Sequence, residues 1–80
     1  MARIRRLAQP KPLGPVRVGA DGRPRAIAGA AVVAVREEWL VEDRWWTARP
    51  LRRRYFELVL AGGRNVVCFE EEGRWFAQRA

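Results

Sequence analysis

The chain of 80 residues contains no histidine, one cysteine and one lysine. Without histidine it lacks the commonest general base and the commonest metal ligand, so triad hydrolases, zinc fingers and zinc hydrolases each lose a needed part. Cys68 alone cannot replace them, because a nucleophilic thiol needs an activating base. A single cysteine also excludes an intrachain disulfide, which agrees with a reducing, cytoplasmic setting. No apolar run approaches the roughly 20 residues of a membrane span. The opening MARIRRLAQPKPLGP has no apolar stretch behind its charges, so it does not read as a secretory signal. Gly62-Gly63 is turn chemistry, since neither a P-loop nor a GxGxxG pattern surrounds it. Glu70, Glu71 and Glu72 read as a solvated turn rather than a metal or acid/base cluster. The expectation is a non-enzymatic protein with no catalytic residue, no metal and no cofactor.

What is present is positive charge and aromatic surface. Sixteen basic against nine acidic side chains give a net charge of +7, with 49% hydrophobic residues. A chain of this length buries about 60–65% of the surface its unfolded form exposes, which allows one modest core. The charge is uneven. Residues 1–30 hold seven basic side chains and one acidic one, a net of +6, whereas residues 31–80 hold nine and eight, a net of +1. Pro10, Pro12 and Pro15 disfavour a regular element there, so residues 1–14 are expected to form a basic, disordered arm and residues 15–80 a single small domain. Such an arm attracts any polyanion without reading its sequence.

Val16-Arg17-Val18 alternates like a strand and Asp21-Gly22 comes next as a turn, so residues 16–19 and 24–28 pair as a first hairpin. The segment AAVVAVREEWLVEDRWW has an ambiguous period. Val32, Val35, Trp39 and Trp46 suit a helix, while Val33, Val35, Trp39, Val41 and Trp45 suit a strand. Its valines and tryptophans favour a strand with a turn near Glu42-Asp43, the other reading being a short helix over 37–42. Thr47 to Arg52 reads as a loop around Pro50. YFELVL, NVVCFE and RWFAQR then form a three-stranded meander with turns at Gly62-Gly63 and EEEG. The sum is a mainly all-β fold: a five- to six-stranded SH3-like barrel or a strongly twisted antiparallel sheet. Val16, Val18, Ile27, Val33, Val35, Trp39, Leu58, Leu60, Val66, Cys68 and Trp75 are the expected core.

Rings for stacking bases and arginines for phosphates are the parts of single-strand binders. Arg44, Trp46, Arg49, Arg52, Arg53, Arg54 and Tyr55 supply both, and Arg3, Arg5, Arg6 and Lys11 of the arm add phosphate contacts. Trp and Arg also dominate protein interfaces, so Trp45, Trp46 and Trp75 are equally candidates for partner contact. Arg52 to Arg54 also fit a solvated strand start offsetting nearby acids.

In order, PVRV, DGRPRAI, VREEW, DRWW, RRRYFEL, GGRNVVCF and GRWFAQR cover about residues 15–79. Together they resemble a small bacterial domain family of unknown function associated with the mutagenesis cassette of translesion DNA synthesis. They are also similar to the C-terminal extension of that cassette's inactive Y-family polymerase-like subunit. The resemblance implies a non-catalytic accessory module in DNA damage tolerance, with single-stranded DNA, translesion polymerase subunits, or both as partners. A purely protein-binding adaptor is the alternative, and an RNA-associated protein a third reading.

Overall fold

The structure, a computed structural model, describes residues 10–43, 48 and 50–78. Seven antiparallel strands form one curled sheet: β1 (Lys11–Pro12), β2 (Val16–Val18), β3 (Pro24–Ile27), β4 (Ala30–Asp43), β5 (Leu51–Leu60), β6 (Asn65–Glu71) and β7 (Arg74–Ala77). Their order is β1-β7-β6-β5-β4-β3-β2, so strands adjacent in sequence also pair in space except for the first two. β1 and β2 lie at opposite edges yet are joined by only Leu13, Gly14 and Pro15. Four Cα steps span at most about 14 Å, which brings the two edges close and forces the sheet to curl. Leu13 N–H donates to the Trp75 carbonyl (3.1 Å) and Ala28 N–H to the Pro15 carbonyl (2.7 Å), tying the link to both sides. The stretch where three prolines disfavour regular structure thus includes two residues of strand. Residues 1–9 of the expected arm lie outside the described residues.

Turn chemistry sets the hairpins. Ala28 (φ 49°) and Gly29 (φ 87°) stand between the paired Ile27 and Ala30, the two-residue turn whose twist matches its flanking strands. Glu72 and Gly73 repeat that geometry between Glu71 and Arg74. In the first hairpin the Asp21 carboxylate accepts from Arg23 N–H at 3.0 Å, an Asx-type turn. β4 is strand throughout and runs on through Asp43, beyond the expected turn at Glu42-Asp43. β5 begins at Leu51, inside the expected loop, where Asp43 pairs with Leu51.

Alternation on β5 sends Phe56, Leu58 and Leu60 inward, where they meet Ile27 and Cys68; these five make the buried cluster. Leu13, Val16, Val32, Val35, Val66 and Trp75 pack against it. Three expected core residues stand outside: Val18 (47% exposed), Val33 (63%) and Trp39 (39%). The cause lies partly in two register shifts in β4, between Val32 and Ala34 and between Val35 and Glu37. Each inserts one residue and flips the facing of every later position in the strand. Val32 therefore points inward, Val33 sits in the bulge, and Trp39 is carried to the outer face. A third shift in β2, between Arg17 and Val18, accompanies the exposure of Val18. Phe56 and Phe69, absent from the expected core, are almost wholly buried.

Truncating Phe56 to alanine removes the ring packed on Trp75 and opens a cavity at the centre of this small core. The expected loss is about 3–5 kcal/mol in urea-induced unfolding, against no more than about 0.5 kcal/mol for Val33→Ala on the surface.

Candidate functional site

The ladder between β4 and β5 outruns both neighbours. β3 pairs only with Ala30 and Ala31 of β4, and β6 pairs with β5 from Val59 no further than Arg54. Trp39 to Asp43 and Leu51 to Arg53 form a two-stranded ribbon standing out from the curled sheet. Alternation splits the Arg52-Arg53-Arg54 run across it, with Arg52 and Arg54 on the inner face beside Leu40 and Arg53 on the outer face.

Each of these arginines is held by a carboxylate. Arg52 Nε lies 3.3 Å from Glu42 Oε2, in a pair open to solvent. Arg53 Nε donates to Glu71 Oε1 at 3.0 Å while its guanidinium lies 4.4 Å from the centre of the Phe69 ring. Arg54 Nε donates to Glu38 Oε2 at 2.8 Å and lies over Phe56, 5.1 Å from its centre. Glu38 also accepts from Arg23 Nε at 3.0 Å, so the turn between β2 and β3 is fastened to β4 and β5. The hydrogen bond from Arg54 is the main cause holding the Glu38 carboxyl below its ordinary range, with Arg23 adding to it against the cost of burial. Gly22 fits beneath this network because it has no Cβ: one built there would lie 2.6 Å from Arg54 Nη1, and its φ is +83°.

On the outer face, register places Trp39, Tyr55, Phe69 and Phe76 in one row across four strands. Trp39 stacks on Tyr55 with centroids 5.3 Å apart and planes 9° from parallel. Tyr55 meets Phe69 at 5.0 Å, and Phe69 stacks on Phe76 at 5.2 Å. The rings lean on one another, so the interior faces are used within the row. Trp39 ends it at the edge of β4, where a face is open.

Of the candidate residues from the sequence, Arg52, Arg53, Arg54 and Tyr55 are thus brought to the ribbon and its root, but on different faces. Lys11 is exposed on β1, at the far edge of the sheet. Trp75 faces inward, half-buried, with its ring 5.6 Å from Phe56, so it is a core-lining ring rather than an exposed anchor. Arg3, Arg5, Arg6, Arg44, Trp45, Trp46 and Arg49 lie outside the described residues. Sequence reasoning missed Trp39 and Leu40 as surface residues and the roles of Glu38 and Arg23. Aligning YFEL against NVVCFE as a hairpin would have exposed the Tyr55-Phe69 row.

Cys68 is fully buried, and that burial pushes its thiol up to about 11, so it is protonated and unreactive at neutral pH. Because the folded value exceeds the unfolded one near 9.0, the unfolded chain releases its proton first as pH rises. The stability linked to Cys68 is complete below pH 9 and falls between about 9 and 11, by roughly 2–3 kcal/mol. Cys68→Ala removes this alkaline limb in pH-dependent unfolding, and thiol reagents at pH 8 label the wild type only after denaturation. For Glu38 the sign is opposite: its stabilisation is present above the ordinary carboxylate range and fades as acid protonates it. Glu38→Gln therefore flattens the acid limb, by at most about 1 kcal/mol because the pair is partly solvated. No helix among the described residues is long and apolar enough to cross a membrane. No known protein family, no curated protein and no solved structure matches the chain.

Proposed function

We propose that the chain is a non-catalytic docking module that grips a protein partner with the β4–β5 ribbon. The observation behind this reading is an inversion of the expected surface: the arginines of the ribbon are engaged within the chain, while its apolar residues are exposed. Leu40 is 50% exposed on the inner face and Trp39 is 39% exposed on the outer one. A tryptophan beside a leucine on a projecting element is the composition of an interface anchor. The resemblance carried by the ordered motifs makes translesion polymerase subunits the partner class and a cytoplasmic accessory role in damage tolerance the setting.

Nucleic acid is the second reading, favoured by one observation: the net +6 of residues 1–30. Lys11, Arg17 and Arg25 of that stretch are exposed on β1 and on the first hairpin. This surface lies apart from the ribbon, so single-stranded DNA, or RNA, would be held by charge and would weaken steeply with salt.

Capture of a purified polymerase-like subunit by the immobilised chain separates the readings. Trp39→Ala and Leu40→Ser are expected to weaken capture about tenfold or more, leaving affinity for single-stranded oligonucleotides at two salt concentrations unchanged. Loss of oligonucleotide binding with capture intact would reverse the assignment.

A further inference from the structure

Among the described residues, the side of β4 facing away from β5 has no strand partner after Ala31. The two bulges disturb this edge as far as Glu37, but from Glu37 to Asp43 the register against β5 is regular. Seven residues of uninterrupted strand, about 23 Å, thus present alternate N–H and C=O groups on an unpaired side. Proteins usually blunt such an edge with charge on both faces. Here the middle carries Trp39 and Leu40, both exposed on opposite faces. A hollow of about 610 Å³ lies along the edge, lined by Arg23, Glu38, Trp39, Leu40, Arg52 and Arg54.

The outward-facing residues of this stretch are Glu37, Trp39, Val41 and Asp43, an acid, two apolar side chains and an acid. Glu37 stands directly opposite Glu57, two carboxylates side by side on one face. Like charges in that position are unfavourable, and a cation on the free side of Glu37 would relieve them. The aromatic row has the same incompleteness, since Trp39 is stacked on Tyr55 on one side and open on the other.

We propose that the β4 edge from Glu37 to Asp43 accepts an added strand from a partner protein, one that alternates basic, apolar, apolar and basic residues on its outer face. Main-chain hydrogen bonds supply affinity, and the row of outward side chains supplies selectivity. The added apolar residue beside Trp39 lengthens the aromatic row by one member. Cations at the two ends of the added strand match the acids at the two ends of the edge. On the inner face a small apolar residue meets Leu40. This inference rests on the docking reading and specifies how that docking is made.

The test uses the full chain and a blocked, fluorescently labelled peptide, KTWVVTK, with two further versions N-methylated at positions 2, 4 and 6 or at positions 3 and 5. In an added strand only one of these sets of N–H groups faces β4. One methylated peptide is therefore expected to bind at least tenfold more weakly than the parent and the other within about twofold of it. A peptide with glutamate in place of both lysines should bind at least fivefold more weakly, and Glu37→Lys should recover part of that loss. Absence of measurable binding by the parent peptide overturns the proposal, as do equal effects of the two methylations. Displacement of the bound peptide by a single-stranded oligonucleotide would assign this edge to nucleic acid and overturn it too. Methylation acts on the peptide alone, so the result does not depend on any variant folding. The docking reading is judged separately by subunit capture, which survives if capture needs Trp39 and Leu40 while the peptides show no strand register.

Discussion

Eight residues near the start of the chain must serve both edges of one sheet. Lys11–Pro12 complete the edge at β7, Val16–Val18 complete the edge at β3, and three residues join them. The rest of the architecture depends on that short tether. The sheet has to curl until its edges meet the tether, and curling gives the inward side chains of β3, β5 and β6 a common centre. The bulges in β4 fit the same demand, because bulged strands bend and twist more strongly. A chain with so small a core has few other means of closing a sheet.

Closure at one end leaves the other end open. Where β3 departs from β4, the Arg23–Glu38–Arg54 network spans the gap and covers the rim of the core with charge. Past that rim, the continuing β4–β5 ladder has no second layer. The ribbon is thus the remainder of two strands that are longer than the core requires, and its exposed apolar residues have no role in burying the domain. Surplus strand carrying apolar side chains is what makes a binding function the natural reading of this part of the molecule.

The strands and most turns were legible because they depend on local chemistry: Gly at positive φ, branched and aromatic runs, alternation in YFELVL. The burial pattern of β4 was not. Its two bulges place Val32, Val35 and Glu38 on the inner face at intervals of three, which imitates helical spacing and explains why helix and strand templates fitted equally well. No composition rule announces a bulge, so every facing assignment beyond Val32 shifted, Trp39 included. The arginine run was legible as a cluster and illegible as a site. Its carboxylate partners come from residues 10 to 18 positions away, and only the register shows that each arginine has one.

The tether also has a consequence in time. Lys11 pairs with Ala77, so the strand that leaves the ribosome early waits for one of the last residues made. At typical synthesis rates that interval is roughly 3–13 s. Throughout it the β3–β4–β5 hairpins can form while the sheet stays open and its inner face wet. The nascent chain is therefore at its stickiest just before completion, and closure of the sheet is an event of release.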